Sequence, residues 1–306
     1  MPLVVEIIMN AGSGAGDKNA IHQQLVELFA ANEVETHFWL AKNGAELIEF
    51  ASRAAKAETK IIIAAGGDGT VSAVASQIVN TNKTLGVLPL GTLNHFAKDL
   101  GISLDLAQAV QTIAANQTAR IDVATVNDRI FINNSSIGLY PNIVRRRERQ
   151  QRLGRSKWYA AFWATIAVLR RYPFFAVKLK TETEELTRRT PFVFVGNNEY
   201  QMDILNIGAR KRLDAGKLCV YVIHRTGRTG LARLAIDSIF GRLREAEDFE
   251  ELITTEITIE TRRKKKRVLV AFDGEVERMD APLRYRILPQ ALNVIVPPAQ
   301  PEAQTQ

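Results

Sequence analysis

Ile61-Ile62-Ile63-Ala64-Ala65-Gly66-Gly67-Asp68-Gly69-Thr70-Val71 decides the fold. Five apolar residues without alternation read as a strand buried on both faces. The glycines after them free the backbone to turn and to admit a bulky group. Val71, Val74, Ala75, Ile78 and Val79 then share one helical face. The same grammar recurs on either side. Leu3–Met9 is another buried run, Ile21, Leu25, Leu28 and Phe29 have helical spacing, and Val34, Thr36, Phe38 and Leu40 alternate as a strand. Ala45, Leu47, Ile48 and Ala51 return to helical spacing, and Leu85–Leu90 is a strand before a helical turn at Phe96–Leu100. Strands alternating with helices predict an α/β domain with a parallel sheet, over residues 1–120.

From Ile121 the pattern changes. Ile121–Val126 and Ile130–Ile132 flank Asn127-Asp128, a hairpin signal. Phe174–Lys180, Pro191–Val195, Leu218–Ile223, Leu252–Glu260, Val268–Phe272 and Leu283–Leu288 read as strands, interrupted by two helices near Ser156–Arg171 and Thr229–Phe240. Strands without intervening helices predict an antiparallel, β-rich second domain over 121–290. Residues 291–306 hold a short strand, Leu292–Val296, and a loose tail.

The composition excludes several classes. The chain has 306 residues, 46% hydrophobic and 24% charged, too apolar for disorder and long enough for two domains. A single cysteine, Cys219, rules out a disulfide framework and a multi-thiolate metal site and fits a reducing cytosol. No secretory signal is readable at Met1–Glu6, and the expected location is cytoplasmic. The longest greasy run, Trp158–Leu169, is about 18 Å long as a helix against about 30 Å of bilayer core. The net charge of +7 is concentrated: seven basic residues and one acid lie between Arg145 and Lys157, and Arg262–Arg267 is six basic residues in a row. Charge alone permits nucleic acid, anionic membrane or a phosphorylated ligand. The four histidines show no metal-ligand spacing, and no feature speaks to oligomeric state.

Three loops look built for phosphate. Gly66-Gly67-Asp68-Gly69-Thr70 joins a buried strand to a helix whose N–H groups face any anion there. Asp68 would repel phosphate unless it holds a cation, so it reads as Mg²⁺-linked; the plain alternative is a tight turn with an Asp cap. Asn10-Ala11-Gly12-Ser13-Gly14-Ala15-Gly16 ends the first strand but matches neither the Walker nor the dinucleotide fingerprint. Leu90-Gly91-Thr92-Leu93-Asn94-His95-Phe96 is the third, with Asn94 open to a simple N-cap role. Far along the chain, Phe272-Asp273-Gly274-Glu275 is either a hairpin turn or a carboxylate that takes a proton from an attacking hydroxyl.

Together these segments resemble the diacylglycerol kinase catalytic-domain family, soluble bacterial lipid kinases related to diacylglycerol and sphingosine kinases. Ile137-Gly138-Leu139 and Leu153-Gly154 with Tyr159 fall in the family's order. The resemblance implies an active site in a cleft between the two domains. ATP would lie over Asn10, Gly12, Ser13, Gly14, Gly66, Gly67, Asp68, Gly69, Thr70, Ser72, Thr92 and Asn94, with Asp68 positioning Mg²⁺. Glu275 would be the general base acting on a membrane-lipid hydroxyl, diacylglycerol by default, to give phosphatidic acid. Two positions depart from the family pattern: His95 and Ala215 stand where it carries acids, which suggests that an accessory metal is lacking. The family's adenine-side threonine is also missing at Leu40-Ala41-Lys42-Asn43.

A kinase whose substrate stays in a bilayer needs a docking surface. Trp158, Tyr159, Phe162, Trp163, Ile166 and Leu169, entered through the Arg145–Lys157 cluster, form either a core helix or a peripheral contact with anionic membrane. The competing readings are an NAD kinase-like enzyme and a non-catalytic nucleotide- or lipid-binding regulator. A nucleic-acid partner is not expected, because it leaves the three glycine loops unused.

Overall fold

The computed structural model describes residues 2–12, 17–138, 141, 174–201, 209–210, 212–223, 249–261 and 267–298. Ser13 and Gly14, the helices expected near Ser156–Arg171 and Thr229–Phe240, the Arg145–Leu169 stretch and Arg262–Lys266 lie outside them. The chain divides into two compact units, 1–121 with 290–306, and 122–289. Residues 290–298 therefore group with the first unit.

In the first unit β1 (Leu3–Asn10), β2 (Val34–Ala41), β3 (Ile61–Gly66) and β4 (Thr84–Pro89) form a parallel sheet in the order β2-β1-β3-β4. Helices α1 (Lys18–Ala31), α2 (Gly44–Lys56) and α3 (Asp68–Ile78) make the crossovers, followed by α4 (His95–Asp99) and α5 (Leu106–Ala115). All six residues of β3 and of β4 are buried, as expected of central strands covered on both faces. Helix α2 packs on α3, and α1 on α5. Helix α5 was not anticipated, although Asp105 announces it by capping the Gln108 N–H at 3.0 Å.

Among the described residues of this unit, the buried polar side chains are all partnered. Glu6, in the middle of β1, accepts from Trp39 Nε1 at 2.6 Å and Thr59 Oγ1 at 3.1 Å, and faces His37 Nδ1 at 3.2 Å. Buried Lys83 donates to the Ala57 and Thr59 carbonyls, just beyond the end of α2. A cation there is favourable twice, for the carbonyls and for the helix dipole.

In the second unit the strand pairings among the described residues are antiparallel. β5 (Thr118–Val126), which begins in the first unit, turns through Asn127 at φ +50° into β6 (Arg129–Phe131), the anticipated hairpin. One sheet runs β12-β11-β10-β7-β14-β15: Phe249–Thr254, Leu218–Ile223, Phe192–Asn197, Asn134–Gly138, Arg267–Phe272 and Glu275–Asp280. β13 (Glu256–Thr261) pairs with β8 (Phe175–Lys180) and with β16 (Leu283–Ile295), and β8 pairs with β9 (Glu185–Thr190). The expected single strand Leu252–Glu260 breaks at Thr255, where the chain leaves one sheet for the other. Thr254 Oγ1 bridges to the Glu256 carbonyl at 2.9 Å and fastens the corner. The two strands expected at Leu283–Leu288 and Leu292–Val296 are one, bent at Gln290 with φ +50°. Its last turn of sequence returns to the first unit, where Asn293 and Val294 pair in parallel with Thr84 and Leu85 of β4.

The inner faces of these strands make one apolar core, including Val193, Val195, Val220, Val270, Ile257 and Leu283. Tyr285 is enclosed in it with its hydroxyl 3.1 Å from Ser135 Oγ, and burial raises the phenol well above the ordinary tyrosine range. Among the described residues no helix is long and apolar enough to cross a membrane.

Lys83→Met leaves two carbonyls beyond α2 without their donor. It is expected to lower stability by about 1–3 kcal/mol, read as a lower urea midpoint at unchanged slope. Wild-type stability would contradict the role given to this ammonium group.

Candidate functional site

Three turns at the carboxyl edge of the first unit's sheet are knitted into one surface. β1 ends at Asn10, whose Nδ2 donates to Thr70 Oγ1 at 3.3 Å and whose Oδ1 accepts from the Gly12 N–H at 3.0 Å. Ala11 N–H donates to the Ala41 carbonyl at 2.8 Å. A Cβ on Gly12 would stand 2.1 Å from the Lys42 carbonyl oxygen, so only glycine passes there. Ser13 and Gly14, the next residues of this loop, lie outside the described residues.

The second turn starts α3 at Asp68 with Gly67 as its N-cap, and no side chain caps that end. Thr70 N–H donates to the Gly67 carbonyl at 2.9 Å, while the Asp68 and Gly69 N–H groups make no hydrogen bond to the described residues, beside the positive end of the helix dipole that favours an anion. Gly66 lies against the Thr70 side chain: a Cβ there would be 2.3 Å from Thr70 Oγ1. Gly69 is exposed with open space around it, Thr70 is buried, and Ser72 is half-buried on the first turns of α3.

The third turn follows β4. Leu90 N–H donates to the Gly66 carbonyl at 3.0 Å, and a Cβ on Gly91 would lie 2.4 Å from Gly67 Cα. Backbone therefore touches backbone between the second and third turns. Asn94 stands at the N-cap position of α4 with φ +49°, but its side chain does not cap the helix. Instead it clasps its own loop, accepting from Gly91 N–H at 2.9 Å and donating to the Gly91 carbonyl at 2.9 Å and the Pro89 carbonyl at 3.3 Å. The N-terminus of α4 is capped from the neighbouring turn: Asp68 Oδ1 accepts from Phe96 N–H at 3.0 Å. Thr92 and His95 are exposed, and the His95 ring makes no hydrogen bond to the described residues.

Lys42 and Asn43, just past β2, are tied up in a capping box. Asn43 Oδ1 caps the Glu46 N–H at 3.0 Å, and Glu46 accepts from Lys42 N–H and Asn43 Nδ2 at 2.9 Å each.

In the second unit Asp273-Gly274 is a two-residue turn between β14 and β15, with φ +45° and +87°, the pattern of a type I′ hairpin. Glu275 opens β15 and is exposed. Asp273 is buried, and its carboxylate accepts N–H groups of Ile132 and Asn133 at 2.8 Å each and of Asn134 at 3.3 Å. Asp214, next to the departure at Ala215, is paired with Arg212 at 3.0 Å, and that guanidinium holds its carboxyl below the usual range. Asp122, fully buried, accepts from Gly216 N–H at 2.6 Å instead.

Two family models cover almost all of the chain. Residues 4–126 match the diacylglycerol kinase catalytic domain, and residues 136–296 match the YegS C-terminal NAD kinase beta sandwich-like domain. The chain belongs to the diacylglycerol kinase catalytic-domain family. It is 34% identical over 135 residues to the "Probable lipid kinase YegS-like" of Klebsiella pneumoniae, which is 43% of this chain and 44% of that protein. It is 35% identical over 135 residues to a Staphylococcus haemolyticus diacylglycerol kinase, 43% of this chain and 41% of that one. The matched stretch spans less than half of either curated relative. A crystal structure from Bacillus anthracis, of a candidate diacylglycerol kinase, is similar over 98% of this chain and 99% of its own, with TM-score 0.77 and 26% identity.

Within this family member, Asn10, Gly12, Gly66, Gly67, Asp68, Thr70 and Asn94 come together at one edge, with Asn94 serving the loop's shape. The sequence reading missed the cap that Asp68 gives α4. It also missed the buried acceptors Asp122 and Asp273, although an acid between Ile121 and Val123 was a legible signal.

The glycines separate by this geometry. Gly91→Ala forces two backbones apart and is expected to cost about 1–3 kcal/mol. Gly69→Ala meets nothing and gains up to about 1 kcal/mol by stiffening the unfolded chain. Urea unfolding of the two variants distinguishes them, and equal stability would contradict the close approach of Gly67 and Gly91.

Proposed function

We propose that this protein is an ATP-dependent lipid kinase, transferring the γ-phosphoryl group of ATP to a hydroxyl of a membrane lipid. The proposed acceptor is diacylglycerol and the product phosphatidic acid. The observation that carries the reading is the uncapped N-terminus of α3, flanked by glycine turns where any side chain would collide. Such a surface recognises polyphosphate through main-chain N–H groups. Family membership supports a kinase of this kind.

Among the described residues no group of three or more His, Cys, Asp or Glu side chains is placed to hold a metal ion by itself. Mg²⁺ in nucleotide sites is ordinarily held by one or two carboxylates together with phosphates and water. Asp68 fits that role: one oxygen is committed to Phe96 N–H, and the other makes no hydrogen bond to the described residues. When bound, Mg²⁺ would neutralise charge on the phosphates. Glu275 is assigned the base. It takes the proton of the lipid hydroxyl as that oxygen bonds to the γ-phosphorus, while the bond to the β-phosphate bridging oxygen breaks and ADP leaves with the electron pair. Its exposure suits a group that meets an incoming substrate. The basic stretches Arg145–Lys157 and Arg262–Arg267 are assigned to peripheral contact with anionic membrane, from a cytoplasmic location.

The NAD kinase-like character of the C-terminal domain match supports a second reading, with a soluble nucleotide as acceptor. Labelled ATP, Mg²⁺ and a panel of micellar lipids, with NAD alongside, separate the two. Label in a diacylglycerol product, abolished in Asp68→Ala, is the expected result; label in NAD alone selects the second reading. Glu275→Gln is expected to lower kcat by about 10²–10⁴-fold with ATP binding retained.

A further inference from the structure

We infer that Asp273 is a positioning residue whose buried carboxylate fixes the place of Glu275, an inference that rests on the assignment of Glu275 as the base. In an ordinary type I′ turn an aspartate at the first central position is favoured because it tolerates positive φ, and its side chain has no further duty. Here that side chain turns inward. Its two oxygens accept three consecutive backbone N–H groups, from Ile132, Asn133 and Asn134, while its own N–H donates to the Asn134 carbonyl at 3.0 Å.

The segment that receives it is itself held fast. The Ile132 carbonyl accepts from Asn197 Nδ2 at 2.9 Å and from Arg210 Nη1 at 2.7 Å. The Asn133 carbonyl accepts from Asn197 N–H at 2.9 Å, and Asn133 Oδ1 accepts from Arg210 Nη2 at 2.8 Å. Arg210 is buried, with its guanidinium over the Tyr200 ring. Residues 132–134 are thus a fixed shelf, and Asp273 ties the tip of the β14–β15 hairpin to it.

Among the described residues β15 pairs with β14, and Glu275 sits at its exposed start, opposite Phe272 and two residues beyond Asp273. Farther along the strand, Arg129 Nε donates to Glu277 at 3.0 Å and Asn127 Nδ2 to the Asp280 carbonyl at 3.3 Å. The tie at Asp273 lies at the turn end, where Glu275 begins the strand. Asp273 cannot take the proton itself, since both oxygens are engaged by donors in a buried setting. The two acids divide the work: one anchors and the other reacts.

Asp273→Asn tests this on the full chain. Asn-Gly supports a type I′ turn as well as Asp-Gly does, so the hairpin is kept while the anionic acceptor is lost. Amide hydrogen exchange is expected to speed up at residues 131–134 and 273–277 and to stay unchanged at 61–71. With dioleoylglycerol in mixed micelles, kcat is expected to fall about 10²-fold with the KM for ATP unchanged, the size of effect that follows from misplacing a reacting group by about 1 Å. Unchanged exchange at those segments overturns the inference, as does a wild-type kcat, or a fall in kcat matched by a rise in the KM for ATP. Glu275→Gln assayed in parallel reads the underlying assignment separately. If that variant turns over normally, Glu275 is not the base, whatever Asp273→Asn does to exchange. Should Asp273→Asn fail to fold, Asp273→Glu, which keeps the charge and displaces it by one methylene, carries the same readouts.

Discussion

The contact of Gly67 with Gly91 is the constraint on which the first unit's functional edge depends. Two strand–helix turns approach until only hydrogen atoms fit between their backbones, as a Cβ placed 2.4 Å from Gly67 Cα makes plain. With no side chain at that point, the N–H groups of Asp68 and Gly69 at the start of α3 make no hydrogen bond to the described residues. Asp68 then fastens the third turn by capping Phe96, and Asn10 fastens the first by its bond to Thr70. One turn cannot move without its neighbours, so the surface proposed to receive the phosphates is shaped by the protein itself, which is what electrostatic stabilisation of a phosphoryl group requires.

The second unit uses a different device for the same end. Its exposed acid, Glu275, begins a strand that ends the sheet order among the described residues, and the adjoining turn is tied to a segment ordered by buried polar groups. Asp273, Asn197 and Arg210 hold residues 132–134 through main-chain atoms. Such groups carry a desolvation cost that is offset only when every donor and acceptor is matched. Asp122 repeats the pattern at Gly216, where an inward carboxylate orders a loop.

Much of this was legible in the chain. The strand, glycine and helix sequence from Ile61 to Val71 fixed the parallel sheet, because continuous apolar runs separated by helical spacing have few other solutions. The switch at Ile121 to strands without helices marked the antiparallel unit. Other elements hid for physical reasons. β9, Glu185–Thr190, is polar on its exposed side and carries charges that read as loop, and the corner at Thr255 was masked because β-branched residues continue across it. At the site, residue types pointed to phosphate and to a base, but hydrogen-bond assignments did not follow from spacing. Asn94 looked like a cap and clasps its own loop, while the cap comes from Asp68, 28 residues away. Asp273 looked like turn chemistry and is also an anchor, since period-two patterning says nothing of a side chain in a turn.

The central claim is that main-chain N–H groups of the interlocked turns receive the phosphates. The most direct measurement is the backbone amide ¹⁵N–¹H spectrum of the labelled chain on titration with MgADP. Saturable shifts at Gly67, Asp68, Gly69 and Thr92, with residues of β16 unmoved, are predicted. A spectrum in which those four amides stay in place while MgADP binds elsewhere would contradict it.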